Sequence, residues 1–307
     1  MTSGTAQDSG PGSAAGDAPP VSAPTTTVVG SLSPSRASDF KTCPLLYRFR
    51  SIDRIPERPT KEQTRGTVVH AVLERLFDLP PHGRTADAAL AMVEPEWHRL
   101  REAEPVREQL FAEDSDGSQL AAWLDSARGL VAGYFTVEDP QVLSPAGREE
   151  LVEAVLPDGL LLRGYVDRLD VAATGELRVV DYKTGGTPRE AFEAKALFQM
   201  KFYALVLWRT RGVVPRELRL IYLADRDVLT YRPDAEELVR FERTVVAIWR
   251  AIERAVRTED FRPNPSRLCD WCDHHERCPA KGGTPPPFPR ERAGAAANPP
   301  DRRVERG

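Results

Sequence analysis

Two neighbouring stretches hold carboxylates and a lysine at a spacing that suits cation and phosphate chemistry: Arg163-Gly164-Tyr165-Val166-Asp167-Arg168-Leu169-Asp170 and Val179-Val180-Asp181-Tyr182-Lys183-Thr184. Between them lies Ala173-Thr174-Gly175, which suits a three-residue hairpin loop whose last position is left-handed and takes glycine. With Thr174 at the loop centre, opposed residues carry numbers that mirror about 174, so Asp167 faces Asp181 and Tyr165 faces Lys183. Opposed residues of an antiparallel pair share a face, as do residues two apart on one strand. Asp167, Asp181 and Lys183 are therefore expected on one face, and a register slip of one residue would break the set. Two opposed carboxylates repel. A hard divalent cation between them, Mg2+ or Mn2+, reverses the sign of that interaction. The Lys183 ammonium could then sit on a phosphate oxygen or on an attacking water. A solvent-facing cluster of ion pairs would use the same residues, and an isolated Asp-x-Lys does not separate the two readings.

His70 follows Gly66 by one helical turn, beside an apolar stripe of Val69, Leu73, Leu76 and Phe77. A histidine there is either a hydrogen-bonded core residue or a ligand, with the glycine leaving room for another backbone or a substrate. Gln199 and Tyr203 lie four apart on one helical face. Buried, they need partners: they either tie their helix to a sheet or orient Lys183 and touch a nucleic-acid backbone. The 4 cysteines divide into Cys43 near one end and Cys269, Cys272 and Cys278 near the other. A set of four thiolates suits zinc or an iron–sulfur cluster, and spacing alone does not choose. His274 and His275, inside the same segment, are spare donors. Arg36, Lys41, Arg48, Arg50, Arg54, Arg58, Lys61 and Arg65 crowd the approach to His70, with Tyr47 and Phe49 interleaved. That run is either a solvated face or a path for single-stranded nucleic acid.

The elements that must position these groups follow from periodicity. Helices are expected from about Pro34 and over 61–77, 85–104, 117–135, 192–211 and 234–257, and strands over 150–156, 160–171, 176–184, 218–223 and 228–231, with Pro157-Asp158-Gly159 as a turn. Residues 1–30 and 282–307 are poor in large apolar side chains and are expected to be disordered, which leaves one α/β domain over 31–281. Of 307 residues, 41% are hydrophobic, enough for a real core, and none of the apolar runs reaches bilayer length. Without a secretory pattern at the start, the chain is expected in the cytoplasm, where cysteines are metal ligands or free thiols rather than disulfides. A net charge of −4 argues only slightly against nucleic acid, because a site that carries its own cations needs less protein charge.

In chain order, His70, Gly164-x-x-Asp167, Asp181-x-Lys183 and Gln199-x-x-x-Tyr203 resemble the PD-(D/E)xK nuclease superfamily, in particular its RecB-like exonuclease branch. Ser33-x-Ser35, Cys43-Pro44-x-x-Tyr47, Arg65-Gly66-x-x-x-His70 and Asp167-Arg168-x-Asp170 also resemble that branch, so the likeness covers residues 31–280. It implies a restriction-endonuclease-like mixed sheet flanked by helices, with a helical N-terminal region. It also implies that His70, Asp167, Asp181 and the Tyr182 main-chain carbonyl bind Mg2+ or Mn2+, with Lys183 as catalytic lysine and Gln199 and Tyr203 in support. Arg168 and Asp170 take structural or phosphate-contact roles, and Arg65 and Arg168 become candidates for DNA contact. Asp181 departs from the pattern, since glutamate is common at that position. The cysteine split resembles the iron–sulfur staple of AddB-type and CRISPR-associated RecB-like nucleases, which implies a structural [4Fe–4S] cluster rather than zinc. The implied activity is metal-dependent DNA hydrolysis from single-stranded ends in bacterial repair or recombination. The chain has no Gly-x-x-x-x-Gly-Lys-Ser/Thr loop, so a helicase motor would be a separate protein. Two rivals remain: a DNA-end-binding scaffold without catalysis, and a zinc-stabilised DNA-binding module.

Overall fold

The computed structural model describes Met1 and residues 28–187 and 190–291. Alternating apolar residues in its middle build one mixed sheet from β1 (Gly30–Leu32), β2 (Gly147–Val155), β3 (Leu160–Val171), β4 (Leu177–Lys183), β5 (Glu217–Tyr222) and β6 (Asp227–Tyr231). Two helical layers cover it. On one face, α3 (Lys61–Leu76), α4 (Ala86–Ala103) and α5 (Ser118–Tyr134) pack Val69, Leu73, Trp97 and Val131 against Val180, Tyr182 and Ile221. On the other, α1 (Pro34–Thr42), α6 (Glu190–Arg211) and α7 (Ala235–Thr258) pack Ala37, Phe202 and Val245 against Val179, Leu218 and Leu220. The short α2 (Pro44–Tyr47) continues from α1. This is the expected α/β architecture, and the strand alternation explains it, because odd and even residues of β4 and β5 enter different cores.

Local chemistry sets the helix bounds. Thr60 opens α3 with a reciprocal capping box, its hydroxyl accepting from Gln63 N at 3.1 Å. Asp234 caps α7, accepting from Glu237 N at 2.7 Å. Helix α6 buries Met200, Phe202, Ala204, Leu205, Val206 and Leu207, which point around its whole girth, so it lies inside the fold rather than on it.

Strand β3 decides where the site can be. One of its edges carries β2 along nearly its whole length, from Val155↔Leu161 to Gly147↔Leu169. The other carries two partners end to end: β1, parallel, at Leu160–Leu162, and β4, antiparallel, from Val171↔Leu177 to Arg168↔Val180. Meanwhile β4 pairs with β5 as far as Lys183↔Tyr222. Residues 163–167 are thus left between β1 and β4, and the two strands part in a fork. The hairpin register mirrors about 174 as expected, with Gly175 at φ 86° and donating to Ala172 O at 2.8 Å. The expected rung between Asp167 and Asp181 does not form, because the ladder ends one pair earlier, where β4 follows β5 away from β3.

Most of the two expected disordered tails lies outside the described residues. The described portions depart from that expectation. Gly30 starts β1, and the chain after residue 282 returns to the core: Phe288 stacks on Phe261 with centroids 5.8 Å apart, and Arg48 donates to Pro286 O. The apolar Phe288, late in a proline-rich stretch, supplies the anchor that composition alone concealed.

Candidate active site

Each arm of the fork brings one carboxylate. Asp167 turns its Oδ2 to the Tyr182 amide, which donates at 2.8 Å in place of a ladder partner. Asp181, on β4, is 2% exposed and pairs through Oδ2 with the Lys183 ammonium at 2.6 Å. From one face of the sheet α3 delivers His70, whose Nε2 lies 2.9 Å from the Tyr182 carbonyl oxygen and whose Nδ1 lies 3.4 Å from Asp167 Oδ2. From the opposite face α6 delivers Gln199. Its amide nitrogen donates to Asp181 Oδ1 at 3.0 Å and to the Tyr203 hydroxyl at 3.1 Å, and its oxygen accepts from Lys183 Nζ at 3.0 Å. Two glycines permit these approaches. A Cβ on Gly164 would stand 2.8 Å from Tyr203 Cε1, and one on Gly66 would stand 3.2 Å from Thr184 Oγ1, so α6 and α3 both close onto the fork through missing side chains.

The electrostatics are those of crowded acids held by two cations. Burial pushes the Asp181 carboxyl up to about 6; Lys183 pulls it down, and Asp167 adds to the rise. Asp167 is also pushed up by burial, yet ends below the usual carboxylate range because His70 and the Tyr182 amide hold its charge. His70 loses from burial but is carried well above its ordinary value by Asp167, Glu149 and Asp181. Burial likewise lowers Lys183, and Asp181 more than compensates.

Two observations test whether a cation fits. Asp181 Oδ2 is buried against the Lys183 ammonium at 2.6 Å, a single contact that leaves a carboxylate lone pair for a cation. One ligand atom each from His70, Glu149 and Asp167 lie within 4.8 Å of one another. The donors are mostly hard oxygens, and the set fits Mg2+ or Mn2+.

Thus the fork assembles His70, Asp167, Asp181, the Tyr182 carbonyl, Lys183, Gln199 and Tyr203. Glu149 joins them without having been expected. The mirror rule supplied a signal for it: the turn at Pro157-Asp158-Gly159 centres the β2–β3 hairpin on Asp158, which sets Glu149 against Asp167.

Of the structural and DNA-contact roles expected for Arg168, its surroundings fit the structural one. It is 1% exposed and cannot reach DNA; it donates to Glu138 Oε2 at 2.8 Å, to the Tyr182 hydroxyl at 2.7 Å and to Asp170 Oδ1 at 3.1 Å, behind the fork. Arg65 donates to Ser126 Oγ at 3.2 Å on the α5 side. The basic run before His70 is also largely committed internally. Arg36 donates to Ser31 O and Tyr47 OH, Arg48 pairs with Asp53, Arg50 with Asp39 and Glu57, and Lys61 with Gln119. These arginines staple the N-terminal segment, and they leave little of the run as a nucleic-acid path.

Cys43, Cys269, Cys272 and Cys278 line one apolar cavity, although among the described residues no three of their sulfurs lie within 4.8 Å of one another. His274 Nε2 is engaged with Glu57 at 2.9 Å, and His275 Nε2 with the Cys269 carbonyl.

A sheet forked between two helical layers, with acids and a lysine at the fork, is the frame of a phosphodiester-cutting enzyme. The chain belongs to the PD-(D/E)XK nuclease superfamily, whose family model matches residues 31–279. It is 27% identical to the Gene 69 protein of Mycobacterium phage D29 over 269 residues, covering 80% of this chain and 95% of the phage protein. The Gene 69 protein of Mycobacterium phage L5 is 25% identical over 292 residues, with 83% and 98% covered. A crystal structure from Eubacterium rectale, described as a proposed exonuclease, shares the fold with a TM-score of 0.52 at 14% identity, covering 80% of this chain and 88% of that one. Among the described residues, no helix is long and apolar enough to cross a membrane.

Proposed function

We propose that this chain is a Mg2+- or Mn2+-dependent deoxyribonuclease of the RecB-like branch, trimming DNA from single-stranded ends during repair or recombination in a bacterial cytoplasm. The observation that carries this reading is the fork itself, where Lys183 touches Asp181 at 2.6 Å and Gln199 spans both. Asp167, Asp181, His70 and the Tyr182 carbonyl would hold the cation, which when bound lowers the pKa of a water and offsets charge on the phosphate. Lys183 keeps a proton and a positive charge at Nζ, poised for a phosphate oxygen or for the attacking water. Gln199 fixes Lys183 and Asp181 relative to each other, and Tyr203 fixes Gln199. The recess favours a flexible strand: with Asp181 at 2% exposure, a phosphate must descend into the fork, and a duplex with a persistence length of about 150 base pairs resists the bend. The phage origin of the Gene 69 relatives supports a bacterial setting. A separate helicase would supply unwinding, since the chain has no phosphate-binding loop of that kind.

We assign the cysteine cavity to a structural [4Fe–4S] cluster. What supports a cluster is that all four cysteines line one cavity, together with the likeness of their one-early, three-late split to the iron–sulfur staple of related nucleases, in which each thiolate binds a different iron.

End-labelled single-stranded and duplex DNA, incubated with wild type, Asp181→Ala and Lys183→Ala, tests the reading. Cleavage is expected from wild type with Mg2+ or Mn2+ and not with EDTA, and each substitution should lower the rate by roughly a hundredfold or more. Tight DNA binding without cleavage under every condition would replace this reading with an end-binding scaffold.

A further inference from the structure

Helix α7 changes its electrical character along its length. Toward its N-terminus, acids hold the cations: Glu236 pairs with Arg240 at 3.6 Å, and Glu237 and Glu242 take Lys201 and Arg209 of α6, each at 2.6 Å. From there on, Arg243, Arg250, Arg254 and Arg257 are exposed, and among the described residues none of their guanidinium groups has a hydrogen-bond or ion-pair partner. Glu253, the one acid over 243–258, pairs with neither Arg250 nor Arg257, three and four residues from it. Steps of seven, four and three residues hold the arginines within about 60° of one another around the helix and along about 21 Å of it. Val245, Trp249, Ile252 and Ala255 are buried on the other side, so the arginine ridge faces solvent.

Neither helix stability nor protein docking accounts for this ridge. Attraction to the carbonyl end of a helix fades beyond its last turn, where α7 has Arg257 alone. Like charges three and four residues apart repel, so Arg250, Arg254 and Arg257 destabilise the helix that carries them. A protein partner is anchored by large apolar side chains, and among the described residues none that is exposed lies on α7. Phosphodiesters need none: guanidinium groups bind them through charge and paired hydrogen bonds.

We propose that the α7 ridge is a second DNA contact, which grips backbone phosphates away from the point of cleavage. Phe198, the neighbour of Gln199, packs on Phe241 with centroids 5.0 Å apart, so α7 leans on the helix that enters the fork. The ridge takes the role expected of the run before His70, where Asp53, Asp39 and Glu57 hold Arg48 and Arg50. The identity of its ligand rests on the nuclease reading above.

Single-stranded DNA of about 30 nucleotides, titrated in EDTA at several salt concentrations, tests the ridge without cleavage. Replacing Arg243, Arg250, Arg254 and Arg257 together by glutamine should weaken binding at least about tenfold and flatten the plot of log affinity against log salt by about 3 in slope. Arg250→Gln with Arg254→Gln should give about half of that change in slope, and decides the matter if the fourfold variant does not fold. In Mg2+, KM for the long substrate should rise while kcat holds, and shortening the substrate should erase the difference from wild type. Wild-type affinity and salt slope in the folded variants would overturn the role of α7 and leave the fork untouched. Wild type that binds but never cuts would sink the nuclease reading, while weaker binding by the α7 variants would still uphold the ridge. Failure of wild type to bind DNA at all would overturn both.

Discussion

Burial raises the Asp181 carboxyl to about 6, against Lys183 and with help from Asp167. Its proton is therefore held more tightly folded than unfolded, where a carboxyl titrates near 4. The stability this gives is fully present below the unfolded value and is lost as pH rises through about 6. At neutral pH the metal-free protein thus carries an unfavourable charge, worth on the order of 3 kcal/mol before relaxation. Asp181→Asn should raise the melting temperature of metal-free protein at pH 7, and the advantage should shrink to nothing toward pH 4. An equal gain at both pH values would mean that packing, not charge, is responsible. The same crowding shows why single residues were unevenly legible. His70, Asp167, Asp181 and Lys183 stand in short patterns whose chemistry is local. Arg168 stands in such a pattern too, but its partners Glu138 and Tyr134 come from α5 and the loop after it, and no short motif records burial. Glu149 left no residue-type signal, because a positive φ within a strand is imposed by its surroundings.

At the level of elements, turn chemistry made the register readable. Gly175 adopts the left-handed conformation its loop needs, and the pairs from Arg168↔Val180 to Val171↔Leu177 follow. The fork was not readable, since it depends on which strands compete for an edge. Both β1 and β5 are distant in sequence from the hairpin they pull apart. The glycine in Gly164-x-x-Asp167 is explained only in three dimensions, by the Tyr203 ring against it. Gly164→Ala should therefore act on α6. With Cβ 2.8 Å from Cε1, the ring must move, at a cost of about 1–3 kcal/mol, and Gln199 moves with it. Unfolding in denaturant should show that loss, and cleavage should fall further than stability accounts for, because Lys183 loses its amide partner. Unchanged cleavage in a destabilised variant would reduce Gln199 to a structural tie.

Across the whole molecule, the segments 42–57 and 261–288 meet beside α1 and α7 through contacts that need no metal. Asn264 Nδ2 donates to Thr42 O at 2.9 Å, and Asn264 N approaches Cys43 Sγ at 3.4 Å from 221 residues away in sequence. Tyr47, Phe261 and Phe288 stack in turn, and Glu57, drawn down to about 2 by its hydrogen bond from His274 and by Arg50, ties the cysteine segment to the N-terminal one. A metal group held here would close a loop that spans the sheet, and would constrain the unfolded chain far more than it reshapes the folded one. Cys43→Ser should consequently keep the far-ultraviolet circular dichroism of the core while it melts well below wild type. If the group is a [4Fe–4S] cluster, wild type is coloured and holds about four irons per chain, and Cys43→Ser and Cys272→Ser both lose colour and iron. If the group is zinc, wild type is colourless with about one zinc per chain. Equal melting of wild type and Cys43→Ser, with neither metal bound, would leave the closure to the aromatic stack, Asn264 and Glu57 alone.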